Sequence, residues 1–106
     1  MSKYLIIANY TAAGVKGVLS AGGTARRAAV ASTIESLGGS LESFYFGFGD
    51  GDAYVVVDLP DNAAAAAISM QVAASGMAST RTVVLLTPEE VDQAAQSPSV
   101  YRPPGS

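Results

Sequence analysis

The segment Phe44-Tyr45-Phe46-Gly47-Phe48-Gly49-Asp50-Gly51-Asp52-Ala53-Tyr54-Val55-Val56-Val57 constrains the fold more than any other part of this chain. Two runs rich in aromatic and β-branched residues flank Asp50-Gly51, a dipeptide that favours the type I′ turn matching strand twist. Strands are therefore predicted over Leu41–Phe48 and Ala53–Leu59, joined by a tight hairpin. With Asp50-Gly51 at its tip, the register pairs Phe48 with Ala53, Phe46 with Val55 and Phe44 with Val57 on one oily face. Tyr45, Gly47, Tyr54 and Val56 share the other face, where apolar bodies carry two phenols.

Around the hairpin the apolar pattern changes period. Residues 3 to 9 read as a strand, followed from Tyr10-Thr11 by a Gly-rich stretch with one short helical turn, ending at Gly22-Gly23. Thr24 is the expected N-cap of a helix that carries Val30, Ile34 and Leu37 on one face and stops at Gly38-Gly39. Asp61 is the expected N-cap of an Ala-rich helix running to Gly76. A last strand over about Thr80–Leu86 is apolar or β-branched at successive positions from Thr82 to Leu86, a pattern that implies burial on both faces. Thr87-Pro88-Glu89-Glu90 has the form of a capping box with proline at the first helical position, so a short helix should end near Gln96.

The order is β-α-β-β-α-β in residues 1–96, with residues 97–106 as a flexible or docking tail. Right-handed crossovers place both helices on one face of a four-stranded antiparallel sheet of order 4-1-3-2, an α+β, ferredoxin-like arrangement. The other face then exposes more apolar surface than soluble monomers usually carry. Two copies facing each other across a dyad, as a dimeric α/β barrel, would cover it. The expected partner is the chain itself, as a homodimer or higher oligomer.

The residue inventory narrows the chemistry. With 106 residues the chain buries roughly 65% of its unfolded surface and holds no deep cleft unaided. There is no cysteine and no histidine, which removes thiolate catalysis, imidazole acid–base chemistry and ordinary zinc or haem ligation. The net charge of −3, with only six basic residues, offers no stripe for a phosphate backbone, so nucleic acid is not an expected partner. Lys3 and the following Tyr4–Ala8 mimic a signal peptide only faintly, being too short and broken by Asn9. No apolar run reaches the roughly 20 residues of a membrane helix, and a soluble, cytoplasmic protein is expected.

Several residues invite a functional reading. Gly17 to Thr24 has the glycine spacing of a phosphate-binding loop, but Gly23 stands where the lysine is required, and turns account for the glycines. Asp50 and Asp52 lack a third carboxylate to complete a calcium site, and turn chemistry explains them, so no metal and no cofactor are expected. Asn9, Tyr10, Tyr45, Tyr54 and Arg81 could line a pocket between the sheet and its partner, phenols and guanidinium holding a carbonyl or carboxylate of a small apolar or aromatic molecule. The simpler reading is that they satisfy one another in an interface. Asp58 shares the phenol face and could serve as a buried base, although a strand-end position at the rim is the favoured reading.

Over nearly its whole length the chain resembles the GYD domain family of dimeric α/β-barrel, ferredoxin-like proteins. Tyr4-Leu5-Ile6, Asn9-Tyr10-Thr11, Ser36-Leu37-Gly38-Gly39, Phe44-Tyr45, Leu59-Pro60-Asp61 and Thr87-Pro88-Glu89-Glu90-Val91 carry the resemblance. The family is named for a Gly-Tyr-Asp or Gly-Glu-Tyr-Asp hairpin. Gly49-Asp50-Gly51-Asp52 occupies that position here, with Gly51 replacing the tyrosine. If that tyrosine contributes to a pocket, this chain has moved the phenol to Tyr54 or lost it. The resemblance implies fold and pairing rather than a reaction, and favours a homo-oligomeric binding or assembly domain. The alternative is a cofactor-independent oxygenase or isomerase acting on an aromatic or polyketide-like substrate, with Tyr45, Tyr54 and Arg81 stabilising an enolate and Asp58 or water accepting a proton.

Overall fold

Alternation and capping resolve, in a computed structural model describing residues 1–106, into eight elements. They are β1 (Ser2–Tyr10), α1 (Ala12–Ala21), α2 (Gly23–Ser36), β2 (Ser40–Phe46), β3 (Ala53–Leu59), α3 (Asn62–Ser75), β4 (Ala78–Leu85) and α4 (Pro88–Ala95). The strands form one antiparallel sheet in the order β2-β3-β1-β4. This is the expected α+β, ferredoxin-like topology. β1 lies between β3 and β4, so its even-numbered residues pack under the helices on both sides.

The core follows from that parity. Tyr4 and Ile6 of β1 and Val55, Val57 and Leu59 of β3 meet Ile34 of α2 and Ala65 and Ile68 of α3. Burying each of the large aliphatic side chains contributes about 1.5–3 kcal/mol. Tyr4 is only 1% exposed, and its hydroxyl donates to Asn62 Oδ1 at the first residue of α3, so the buried phenol is satisfied. Asp61 caps α3 as expected, accepting from the Ala64 N–H at 2.9 Å. Thr87 and Glu90 form the expected capping box of α4.

Four local expectations are corrected. The Gly-rich stretch is a ten-residue helix, α1. Its interior glycines cost about 1 kcal/mol each relative to alanine. Thr11 offsets part of this as N-cap, accepting from the Gly14 N–H, and α1 also docks on β1 and α2. The N-cap of α2 is Gly22 rather than Thr24, which lies inside the first turn. Gly22 both closes α1, donating to Val18 O, and opens α2, and its φ of +89° is readily reached only by glycine.

The hairpin is not a two-residue turn. β2 and β3 pair Phe46 with Ala53, Tyr45 with Tyr54 and Phe44 with Val55, leaving residues 47 to 52 as a loop. The loop is long because β1 competes for it. The Asp52 N–H donates to Ala8 O, and the Asp52 carboxylate accepts from the Tyr10 N–H. Phe48, not a glycine, takes the left-handed conformation (φ 52°) and stacks on Phe46 at 5.6 Å. A shift of two residues preserves strand parity, so Phe44, Tyr45 and Phe46 keep their expected faces, whereas Phe48 leaves the sheet and is exposed.

β4 is an edge strand, and within one chain it is not buried on both faces. Val83 and Val84 are exposed, and only Ala78 is fully buried. Every residue from Leu86 to Ser106 is exposed as well, so the C-terminal segment covers neither side of the sheet.

Candidate functional site

The face of the sheet turned away from the helices is laid out in rows by the strand register. One row crosses β2, β3, β1 and β4 as Tyr45, Tyr54, Ile7 and Arg81. The next reads Ser43, Val56, Leu5 and Val83. Leu5, Ile7, Tyr54 and Val56 are half-buried, whereas Tyr45 is 71% and Val83 44% exposed. The two rows form one apolar surface with phenols toward one edge and a guanidinium at the other.

Four of the six expected pocket residues lie in or beside these rows, but they do not converge within one chain. Tyr45 and Tyr54 are directly opposite each other, whereas β1 separates Tyr54 from Arg81 by about 10 Å at ordinary strand spacing. Asp58 lies four residues along β3 from Tyr54, about 13 Å away. It is engaged by Lys3, whose Nζ lies 3.1 Å from Asp58 Oδ1 and 3.0 Å from Glu42 Oε2. Bonding to Glu42, and next to Asp58, raises the Lys3 ammonium above its ordinary value of 10.5. No single chain places a base beside both phenols and Arg81.

The remaining two residues belong to a brace. Asn9 donates from its side-chain amide to Asp50 O at 2.9 Å, and the Tyr10 N–H donates to Asp52 Oδ2 at 2.8 Å. The hydroxyl of Thr11 donates to Gly76 O, where α3 ends. Three consecutive residues thus tie the end of β1 to the hairpin loop and to the approach to β4. The Asp52 carboxylate is turned inward to this network, whereas Asp50 is exposed and contributes only its backbone carbonyl, and the Tyr10 side chain falls on the helix side of the sheet. Gly51 is fully buried in the loop, with its N–H donating to the Tyr54 hydroxyl at 3.1 Å. A Cβ at residue 51 would lie 2.4 Å from Ile7 Cγ2 and 3.0 Å from that hydroxyl. The Tyr54 phenol and Ile7 therefore occupy the space that a side chain at residue 51 would need.

A feature that pattern reading missed lies on the helix side. α2 packs over β2, and α3 over β4 and β3, and between the two helices a gap remains above the end of β1, where Ala8 and Tyr10 are only half-buried. A mostly apolar cavity of about 110 Å³ opens there, reaching from Tyr10 and Arg26 to Ile68 and Thr80. A shallower groove of about 320 Å³ runs beside it along α1, sharing Tyr10, Arg26 and Ala29. The only available signal was the alanine content of both helices, which leaves little side-chain volume over the sheet. The glycine spacing at 17–24 is absorbed by α1 and the start of α2. No helix is long and apolar enough to cross a membrane.

Comparison with known proteins matches the chain to the family model described as GYD domain, over residues 4–95. No curated protein and no solved structure matches the chain.

Proposed function

Because the chain belongs to the GYD domain family by a match covering most of its length, we propose that it is a small homo-oligomeric binding or assembly domain whose copies meet through the open face of the sheet. The observation that carries this reading is the continuous apolar surface of Leu5, Ile7, Tyr54, Val56 and Val83, which no segment of the chain covers. Removing such a surface from water contributes roughly 25 cal/mol for each Å² of apolar area, and a second copy of the same flat face is its natural complement. A dyad lying along the strands sets β4 of one copy over β2 of the other and brings Arg81 toward the partner's Tyr45. Guanidinium and phenol, separated within one chain, then face each other across the interface. A small apolar or aromatic molecule at this face would be enclosed only by the second copy.

The test is the mass in solution. Light scattering at micromolar concentration should give a dimer or a multiple of it. Val83→Glu places a charge on an already exposed side chain of the edge strand, and should yield a folded monomer by circular dichroism and light scattering. A monomeric wild-type protein would remove the basis of the proposal.

A further inference from the structure

Arg26 is the one side chain whose polar chemistry the fold leaves unfinished. Its Nε is buried without a hydrogen-bond partner, and neither of the chain's ion pairs includes it. A buried N–H on a charged group without an acceptor costs more than the 1–3 kcal/mol of a neutral one. Arg26 also lines both the 110 Å³ cavity and the groove beside it. Around it the walls are small or aliphatic. Ala29 of α2, Ala53 of β3 and Ala78 of β4 meet Val55 and Ile68 across the opening. Larger side chains at the alanines would close the space, and Ala53 and Ala78 are themselves buried, so the volume is built into the core side of the sheet.

We propose that this cavity binds a small apolar or aromatic monocarboxylate, with its hydrocarbon body between α2, α3 and the sheet and its carboxylate on Arg26. The guanidinium edge formed by Nε and one Nη matches a carboxylate with two parallel hydrogen bonds, and would satisfy the orphaned Nε–H. A space of about 110 Å³ is of the order that holds a benzene-sized body. Thr80 supplies a further hydroxyl at the lining, that of Thr33 being donated to Ala29 O, and no carboxylate of the chain stands there to compete. This site faces away from the surface assigned to self-association, and its occupancy does not depend on that assembly.

Benzoate, benzyl alcohol and benzylamine share one ring and differ in the group offered to Arg26, so they serve as probes, titrated while amide resonances are followed by NMR. Benzoate should perturb residues around Ala29, Ala53 and Ala78 and bind at least about tenfold more tightly than benzyl alcohol, the usual advantage of a charged hydrogen bond. Benzylamine should not bind measurably. Arg26→Gln should remove the preference for benzoate while leaving benzyl alcohol unchanged. Because Arg26 makes no ion pair and its Nε–H has no partner, this variant should melt no lower than the wild type. Ala29→Leu, which fills the cavity, should abolish binding of both ligands in a folded protein. Equal affinity for benzoate and the alcohol, shifts confined to the open sheet face, or no binding by any probe would each overturn the proposal.

Discussion

At Gly51, space rather than backbone angle requires the glycine. Its φ lies outside the left-handed region, but an added Cβ would sit 2.4 Å from Ile7 Cγ2. Gly51→Ala should therefore destabilise the fold by about 1–3 kcal/mol, the usual range for overpacking. For a domain of this size each kcal/mol lowers the melting temperature by roughly 4–8 °C. The contribution of the closer contact can be isolated, because Ile7→Ala should reduce the cost of the glycine substitution in a double-mutant cycle, leaving the part due to the Tyr54 ring. Additivity of the two changes would show that something other than this contact selects the glycine. Tyr54→Phe removes the acceptor of the Gly51 N–H and should cost about 1 kcal/mol in the same assay. Asp50-Gly51 looked in the sequence like a turn chosen by its dihedral angles. The closest of the contacts that select the glycine, that of Ile7, comes from another strand and leaves no local signature.

Among the elements, those with strong periodicity were legible and those shaped by competition were not. β1, β3 and α3 could be placed from alternation and from Asp61, since the chain folds there as its local pattern asks. The hairpin loop could not, because the hydrogen bonds from β1 to residues 50 and 52 outweigh the Asp-Gly preference. α1 was hidden by its interior glycines, and the cavity by alanines whose small volume resembles ordinary helix composition. The rim of the sheet offers a direct test of one such contact between elements, the bridge from Lys3 on β1 to Asp58 on β3 and Glu42 on β2. The Lys3 ammonium is raised above 10.5 in the folded chain, so its stabilisation is fully present below pH 10.5 and is lost as pH rises through the folded value. Urea denaturation should show wild type more stable than Lys3→Met up to pH 10.5, with the difference vanishing above it. A difference that persists at higher pH would assign the effect to packing of the lysine stem. Because the site is exposed and screened, the effect should also shrink in high salt.

The dimensions of the whole molecule separate its body from its arm. A compact chain of this length has a radius of gyration of about 13 Å, whereas the Cα atoms here give 16.6 Å over a shape of 55 × 33 × 23 Å. The excess is consistent with α4 and the tail, whose residues are all exposed and which add nothing to the buried core. Deleting residues 87–106 should therefore leave the melting temperature nearly unchanged, since surface changes away from packed features usually stay within about 0.5 kcal/mol. Small-angle scattering should detect the same deletion as a smaller, rounder particle. If the open sheet face holds the assembly together, the truncated protein keeps the subunit number of the full chain, whereas Val83→Glu loses it. If instead the arm reaches across to clamp a neighbour, truncation dissociates the assembly and Val83→Glu leaves it intact. Measuring both variants side by side thus assigns the interface to one surface or the other, because Val83 lies on the sheet and the deletion removes only residues outside it.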